Sequence, residues 1–500
     1  MPRIYIWKTN RQNWPEEKMQ KALDAVRDGM PYKTASREFK FPVMALKRRA
    51  KGKNKIAVGY VKKSELYDRA ASICEKYTSP LRIWLGPKFV LVITDVNLAQ
   101  KVMSSYKFSR KDDIYRFLET FDGKGLITSN GTKWKRDRRL MSPLFPKRNI
   151  QQYFPSILRH TKTLISILED EVDGATINIE PFIHRCSADF VNETILGTKT
   201  KAQFGQMDNF VRTLTRMYTI IHARIVKVWL QNDYLFKLFH YYDEQERGKE
   251  VIFGFMKKTL RNAQAGFNNY EDRSFQPIIH KLLEIQGEVP NFASDEEMLH
   301  HLVTLYSAAE DTITSIVSFT LVLLGMYPNI QKKLVDEVLD VMGEDKKEIE
   351  ESQLDTFEYL DMVVKDVLRL FPIAAFIVRQ TEEDVRLEQW LIPKGCSVMV
   401  SIYNIHRNSN YWEKPNEFHP DHFLPDAVGK RHPFAFMPFS AGPRGCLGKS
   451  YAYMALKIMI VTILQHFHIE SDGKLEDKKL KMDISIRFKD GYYPVRLRKR

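Results

Sequence analysis

One cysteine, Cys446, sits in the run Phe439-Ser-Ala-Gly442-Pro-Arg444-Gly445-Cys446-Leu-Gly448, with an arginine two residues before it. A thiolate on so small-residue a loop suits the axial bond to a haem iron. Glycines let a porphyrin face approach the backbone, and loop amides can aim at the sulfur and tune its electron donation. The Arg444 guanidinium matches a porphyrin propionate, and Phe439 can cover the sulfur side of the ring. Far upstream, Ser307-Ala308-Ala309-Glu310-Asp311-Thr312 combines small residues with a threonine and two acids. In a helix, Thr312 can return its hydroxyl to the i−4 carbonyl of Ala308 and open a groove for water. Trp134 and Arg138 lie four apart, and Asp366 and Arg369 three apart, so each pair shares one helix face.

These groups need long elements to hold them. Helices are expected over 131–144, around Thr312 and around Arg369, with strands near Arg379. Five hundred residues with 44% hydrophobic content can bury a large core. Four cysteines (Cys74, Cys186, Cys396 and Cys446) make no disulfide framework, which points to a reducing compartment. No apolar run reaches the ~18–20 residues of a membrane span, and residues 316–327 read as buried helix.

The Cys446 run fits the F-x-x-G-x-R-x-C-x-G signature at every fixed position, and from about residue 64 to 500 the chain resembles a cytochrome P-450. The resemblance implies a mainly α fold with a small β region and a non-covalent haem b. Cys446 would be the axial ligand to the iron, with Phe439, Gly442 and Gly448 shaping its loop. The propionates would fall to Arg444, Trp134, Arg138 and Arg379. Thr312 would steady the reacting oxygen, and Asp311 would relay protons so that the O–O bond breaks heterolytically. Some relatives attach haem through a Glu at the place of Ala308, so no covalent link is expected here.

Asp366 and Arg369 stand where the family has E-x-x-R, and Pro420-Asp-His422-Phe423 stands where it has P-x-R-F. Asp for Glu and His422 for Arg are expected to leave this structural lock loosened. The chain also departs from the family in having Ala309 for Gly and Ile313 for a second Thr. The substrate pocket would be lined by Ala308, Ala309, Ala374 and Phe376, with further walls from 108–127 and 483–487; His406 and Arg407 read as structural. Gly125-Leu-Ile-Thr-Ser129, Asn192-Glu-Thr-Ile-Leu-Gly197 and Val228-Trp-Leu-Gln-Asn-Asp233 resemble family 4, the lipid hydroxylase group. The implied reaction inserts one oxygen atom of O2 into an apolar, lipid-like small molecule. Electrons would come from NADPH through the flavins of a separate NADPH–cytochrome P-450 reductase.

Charge is uneven. Residues 1–63 hold 17 Lys/Arg against 5 Asp/Glu, leaving 60 against 57 for the rest. Residues 1–50 read as a small three-helix head (helices at 16–28, 33–39 and 43–49), followed by a basic linker at 51–63. The head resembles a pipsqueak-type (psq) helix-turn-helix, which would place DNA contacts at Lys47, Arg48 and Arg49. The alternative function is therefore a DNA-binding protein with a degenerate or sensory haem domain. Segment 220–230, basic and apolar, could make peripheral contact with a membrane. The family implies the cytosolic face of the endoplasmic reticulum, whereas the head implies the nucleus.

Overall fold

The computed structural model describes residues 16–27, 30–40, 56–57, 66–85, 88–266, 275–343 and 348–500. Two helices of the expected head lie within these, α1 (Glu16–Arg27) and α2 (Tyr32–Glu38). The third expected helix, with Lys47, Arg48 and Arg49, lies outside them. After α2 come strand β1 (Ile56–Ala57) and helix α3 (Leu66–Lys76). β1 pairs in parallel with β2 (Leu81–Leu85), so the sheet begins inside the segment expected as linker.

Five strands form the main sheet, in the order β1, β2, β3 (Lys88–Ile93), β5 (Ser397–Ser401) and β4 (Phe376–Gln380). β2 and β3 are antiparallel, β3 and β5 parallel, and β4 and β5 antiparallel with Arg379 opposite Val398. The outer side of β4 is met by the chain at 110–111, through a Lys111–Arg379 bridge and a Gln380 N–H donating to the Arg110 carbonyl at 3.0 Å.

Helices make up most of the rest: α4 (Arg116–Asp122), α5 (Gly131–Met141), α6 (Glu180–Thr194), α7 (Asp208–Val226), α8 (His240–Gly266), α9 (Asp295–Met326), α10 (Glu358–Leu370) and α11 (Lys449–His466). The longest, α9, starts at a capping box. Ser294 Oγ accepts from the Glu297 N–H while the Glu297 carboxylate accepts from the Ser294 N–H. Pro328 stands where it would have to continue. By length and composition α9 could cross a membrane, but 78% of its most apolar window is buried against α6, α10, α11 and other elements. It is a core helix.

α5 is tied to α9 by a buried charge cluster. The Asp137 carboxylate faces His301 Nε2 at 3.4 Å and accepts from Lys133 at 2.9 Å and Arg136 at 2.8 Å. Burial alone would raise its pKa. The hydrogen bonds and charges of His301, Lys133 and Arg136 outweigh burial and bring it down to about 2. A carboxyl with a depressed folded pKa stabilises the fold above its unfolded value and loses that contribution as pH falls through the folded one. Thermal melts from pH 5 to pH 2 should therefore show Asp137→Asn losing about 2 kcal/mol less than wild type.

Candidate active site

Cys446 precedes α11 on a loop whose shape is forced by contacts. The Gly445 N–H donates to the Gly442 carbonyl at 2.9 Å, and the Cys446 N–H donates to the Phe439 carbonyl at 2.9 Å. At Gly442, φ is +65°, and a Cβ would stand 2.0 Å from the Met103 carbonyl oxygen. Both features require glycine. Gly442→Ala should displace the loop and sharply reduce the haem retained on purification, read as the ratio of Soret to protein absorbance.

The thiol lies deep in the fold but has accessible surface. Desolvation raises its pKa, opposed by the Gly448 N–H directed at the sulfur and by Arg138 and Lys449. A thiol so placed ionises fully when it binds a cation. Ala308 and Ala374 are also exposed, each beside buried neighbours, while Ala309, Phe376, Phe439 and Leu447 are half-buried against one core cluster. Phe439 also meets Tyr453, with ring centroids 5.4 Å apart.

In α9, Thr312 Oγ1 donates to the Ala308 carbonyl at 2.8 Å, the bend its position allows. Asp311 is buried and points toward the C-terminal strands. It accepts from Ser485 Oγ and from the Arg487 guanidinium, which also reaches Glu180 at 3.3 Å. Segment 483–487 was expected as pocket wall, but Ser485 and Arg487 are buried in this ion pair. The partnership could not be read from spacing, since 176 residues separate Asp311 and Arg487. Phe108, Phe117 and Phe121, expected among the walls of 108–127, are core residues.

Basic side chains from three segments converge at the Cys446 loop. Arg444 Nε donates to the Ser109 carbonyl at 2.8 Å. Its Nη2 donates to the Ser129 carbonyl at 2.8 Å and the Asn130 side chain at 3.0 Å, and its guanidinium lies 3.8 Å from the Trp134 ring centroid. Burial, with Arg379 and Arg138 nearby, lowers the Arg444 pKa to about 9. Arg138 donates to the Gly445 carbonyl at 2.7 Å. Arg379 is 2% exposed, and its Nη1 is buried without a hydrogen-bond partner. Among the described residues none of the three pairs with a carboxylate. Buried guanidiniums without counter-ions are costly, so the cluster fits a dianionic ligand. Two propionates beside a thiolate ligand meet that need, and the residues present fit haem.

Asp366 and Arg369 of α10 are fully buried, and the lock is closed rather than loosened. Arg369 donates to Asp366 from Nε at 2.5 Å and from Nη2 at 3.3 Å. It also donates to the carbonyls of Pro415 at 2.5 Å, Glu417 at 2.7 Å and His406 at 3.3 Å. Asp366 further accepts from the His419 N–H at 2.6 Å and faces His422 Nδ1 at 3.0 Å. The shorter carboxylate suffices because its partners come to it from one helical turn and one loop. His406 connects this lock to the loop before Cys446: its Nδ1 faces the Arg369 carbonyl at 3.2 Å, and its Nε2 accepts from the Met437 N–H at 2.8 Å. Burial presses the His406 pKa down to about 3, so it is a neutral strut. Arg407 donates to the Leu370 carbonyl.

Segment 220–230 is mostly internal, with Ile220, Ile221, Ala223 and Leu230 buried. Exposed apolar side chains begin at its end, with Val228 and Trp229, and continue beyond it with Tyr234, Leu235, Leu238 and Phe239. A separate cleft of about 620 Å³, lined by Gly123, Lys257 and His300 among others, opens between α4, α8 and α9; it takes in Glu119, Thr120 and Gly123 of the expected wall at 108–127 but neither the Cys446 loop nor Thr312.

Comparison with known proteins agrees with this geometry. A family model described as Cytochrome P450 matches residues 54–494. The chain is 29% identical over 450 residues to "Cytochrome P450 4V2" of Homo sapiens, an alignment covering 87% of this chain and 86% of that protein. It is likewise 29% identical over 449 residues to "Cytochrome P450 4c3" of Drosophila melanogaster, covering 85% and 84%. Against "Cytochrome P450 4c21" of Blattella germanica it is 29% identical over 437 residues, covering 85% and 87%.

Proposed function

The chain belongs to the cytochrome P450 family, and from that premise we propose that this haem monooxygenase hydroxylates an apolar, lipid-like substrate using electrons from NADPH passed by a separate reductase. The observation that carries the reading is the Cys446 loop, a buried but accessible thiol receiving the Gly448 N–H, beside a cluster of cations without carboxylates. The haem supplies the oxygen chemistry when bound, with a thiolate ligand that favours O–O cleavage.

The protein's own residues hold that chemistry in place and move protons. Cys446 would bind the iron, with Gly448 directing its N–H to the sulfur. Arg138, Arg379, Arg444 and Trp134 would take the propionates and fix the plane of the ring. Ala308 and Ala309 would leave room for the reacting oxygen, and the Thr312 hydroxyl, donated to the Ala308 carbonyl, would pass a proton. Asp311 is the acid behind Thr312, and its release from Arg487 and Ser485 would free it to exchange protons. Thr312→Ala should therefore keep consuming NADPH while forming roughly tenfold less hydroxylated product and more hydrogen peroxide. Measuring both products in one assay checks this.

Similarity to family-4 proteins and the apolar half-buried side chains Ala309 and Phe376 support a lipid-like substrate. The exposed side chains Val228, Trp229, Tyr234, Leu235, Leu238 and Phe239, with Lys227 before them and Lys237 among them, support peripheral contact with an anionic bilayer surface. The test of the whole reading is the absorption spectrum of the purified, reduced protein under carbon monoxide. A red-shifted Soret band is expected, with turnover of fatty acids or related lipids in the presence of the reductase. A spectrum of the histidine-ligated type would overturn it.

A further inference from the structure

We propose that the cleft between α4, α8 and α9 is a second small-molecule site, and that it takes a single-chain amphiphile whose head group is zwitterionic, one anion and one ammonium. The cleft holds about 620 Å³, the size of a ligand pocket, and lies apart from both the Cys446 loop and Thr312. The assignment is independent of the haem-thiolate reading.

Its walls carry opposite charge. α8 supplies Lys257 and Arg261, four residues apart and so on one helix face. α4 supplies Glu119, and the first turn of α9 supplies Glu296. Among the described residues none of these four side chains makes an ion pair or a hydrogen bond. The other charges in the cleft are engaged: Lys249 with Glu246 at 3.0 Å, and Asp295 with Gln264 at 3.1 Å and Gln286 at 3.2 Å. The bond from Gln264 to Asp295 ties α8 to α9 and holds the walls where their opposed charges do not meet.

Phe253, Leu260 and Leu299 give the same cleft an apolar lining. The Phe253 and His300 rings meet edge to face, with centroids 6.1 Å apart. Gly123, at φ +60°, lets the chain lie against that histidine, since a Cβ there would stand 1.9 Å from the ring. Burial raises the Glu119 pKa against the pull of Lys124, so a cation brought into the cleft would favour its carboxylate. An anion alone would pair with Lys257 and Arg261 but lie opposite two acids, and a cation alone would meet the reverse conflict. A head group bearing both charges satisfies both walls at once, and its alkyl chain covers the apolar lining.

The test is isothermal titration calorimetry of the full-length protein with three probes below their micelle-forming concentrations: dodecylphosphocholine, dodecyl phosphate and dodecyltrimethylammonium. Dodecylphosphocholine should bind about tenfold more tightly than either singly charged probe. Lys257→Gln combined with Arg261→Gln should weaken dodecylphosphocholine about tenfold and tighten dodecyltrimethylammonium. Glu119→Gln combined with Glu296→Gln should weaken dodecylphosphocholine by about the same factor and tighten dodecyl phosphate. The crossed signs separate loss of one wall from a general loss of fold. Equal affinity for the three probes overturns the proposal, as does the absence of binding. Binding that shifts the Soret band and ignores both double substitutions belongs to the haem pocket, and it too overturns the assignment.

Discussion

Cys446→Ala should abolish the red-shifted Soret band of the reduced, carbon-monoxide-treated protein and reduce substrate hydroxylation to background. This is the largest effect expected on function, since Cys446 is the side chain proposed to bind the iron. Cys74, Cys186 and Cys396 are all buried, and burial pushes their thiols up, Cys74 to about 12 and Cys396 to about 11. None can substitute as a thiolate. Cys446→Ser preserves the loop but offers a harder, less donating oxygen, and should likewise lose the band. Both variants should melt close to wild type in the haem-free state, because the loop is held by backbone contacts from Phe439 and Gly442 rather than by the sulfur. A band unchanged in Cys446→Ala would show that the iron is held elsewhere.

The largest effect on stability is expected from Arg369→Ala. It removes one partner of a fully buried ion pair and leaves Asp366 with only the His419 N–H and His422. Breaking such a pair costs about 3–5 kcal/mol, a large share of a typical folding free energy of roughly 5–15 kcal/mol. It also strands the carbonyls of Pro415, Glu417 and His406. His406 in turn braces Met437, so the damage should reach the Cys446 loop. The variant is expected to purify with little haem and to unfold at distinctly lower urea concentration. A midpoint equal to that of wild type would show that the lock does not support the fold.

His422 stands in the altered lock with both ring nitrogens engaged. Nδ1 faces Asp366 at 3.0 Å and Nε2 faces the Glu413 carbonyl. Arg431 donates to the His422 carbonyl and lies 3.7 Å from the Trp412 ring centroid, with Arg369 5.1 Å from the same ring. A second guanidinium thus joins the lock from outside the loop that aligns with the family pattern. Substitution of Asp for Glu and His for Arg looks weakening along the chain, but in space it is compensated.

Some of the site could be read along the chain because its causes are local. The Cys446 loop is ten consecutive residues whose glycines, arginine and cysteine impose their own geometry. The Thr312 hydroxyl meets the Ala308 carbonyl because helical periodicity puts position i−4 there. The capping box of α9 and the one-turn spacing of Asp366 and Arg369 are local in the same sense. The match from residue 54 to 494 follows from such local patterns recurring in order.

The remainder depends on packing between segments far apart in sequence. Arg444 meets carbonyls more than 300 residues away, and Arg487 finds Asp311 across 176. Val228, Trp229, Leu235 and Leu238 are exposed, while Ile220, Ile221, Leu230 and Phe236 are buried, and residue type alone does not separate the two groups. Backbone sterics and i, i+4 contacts act over a few residues and are written directly in their order. Buried charges are paired only by tertiary packing, and that packing decided which cations surround the haem site, which base holds Asp311 and which apolar surface stays open.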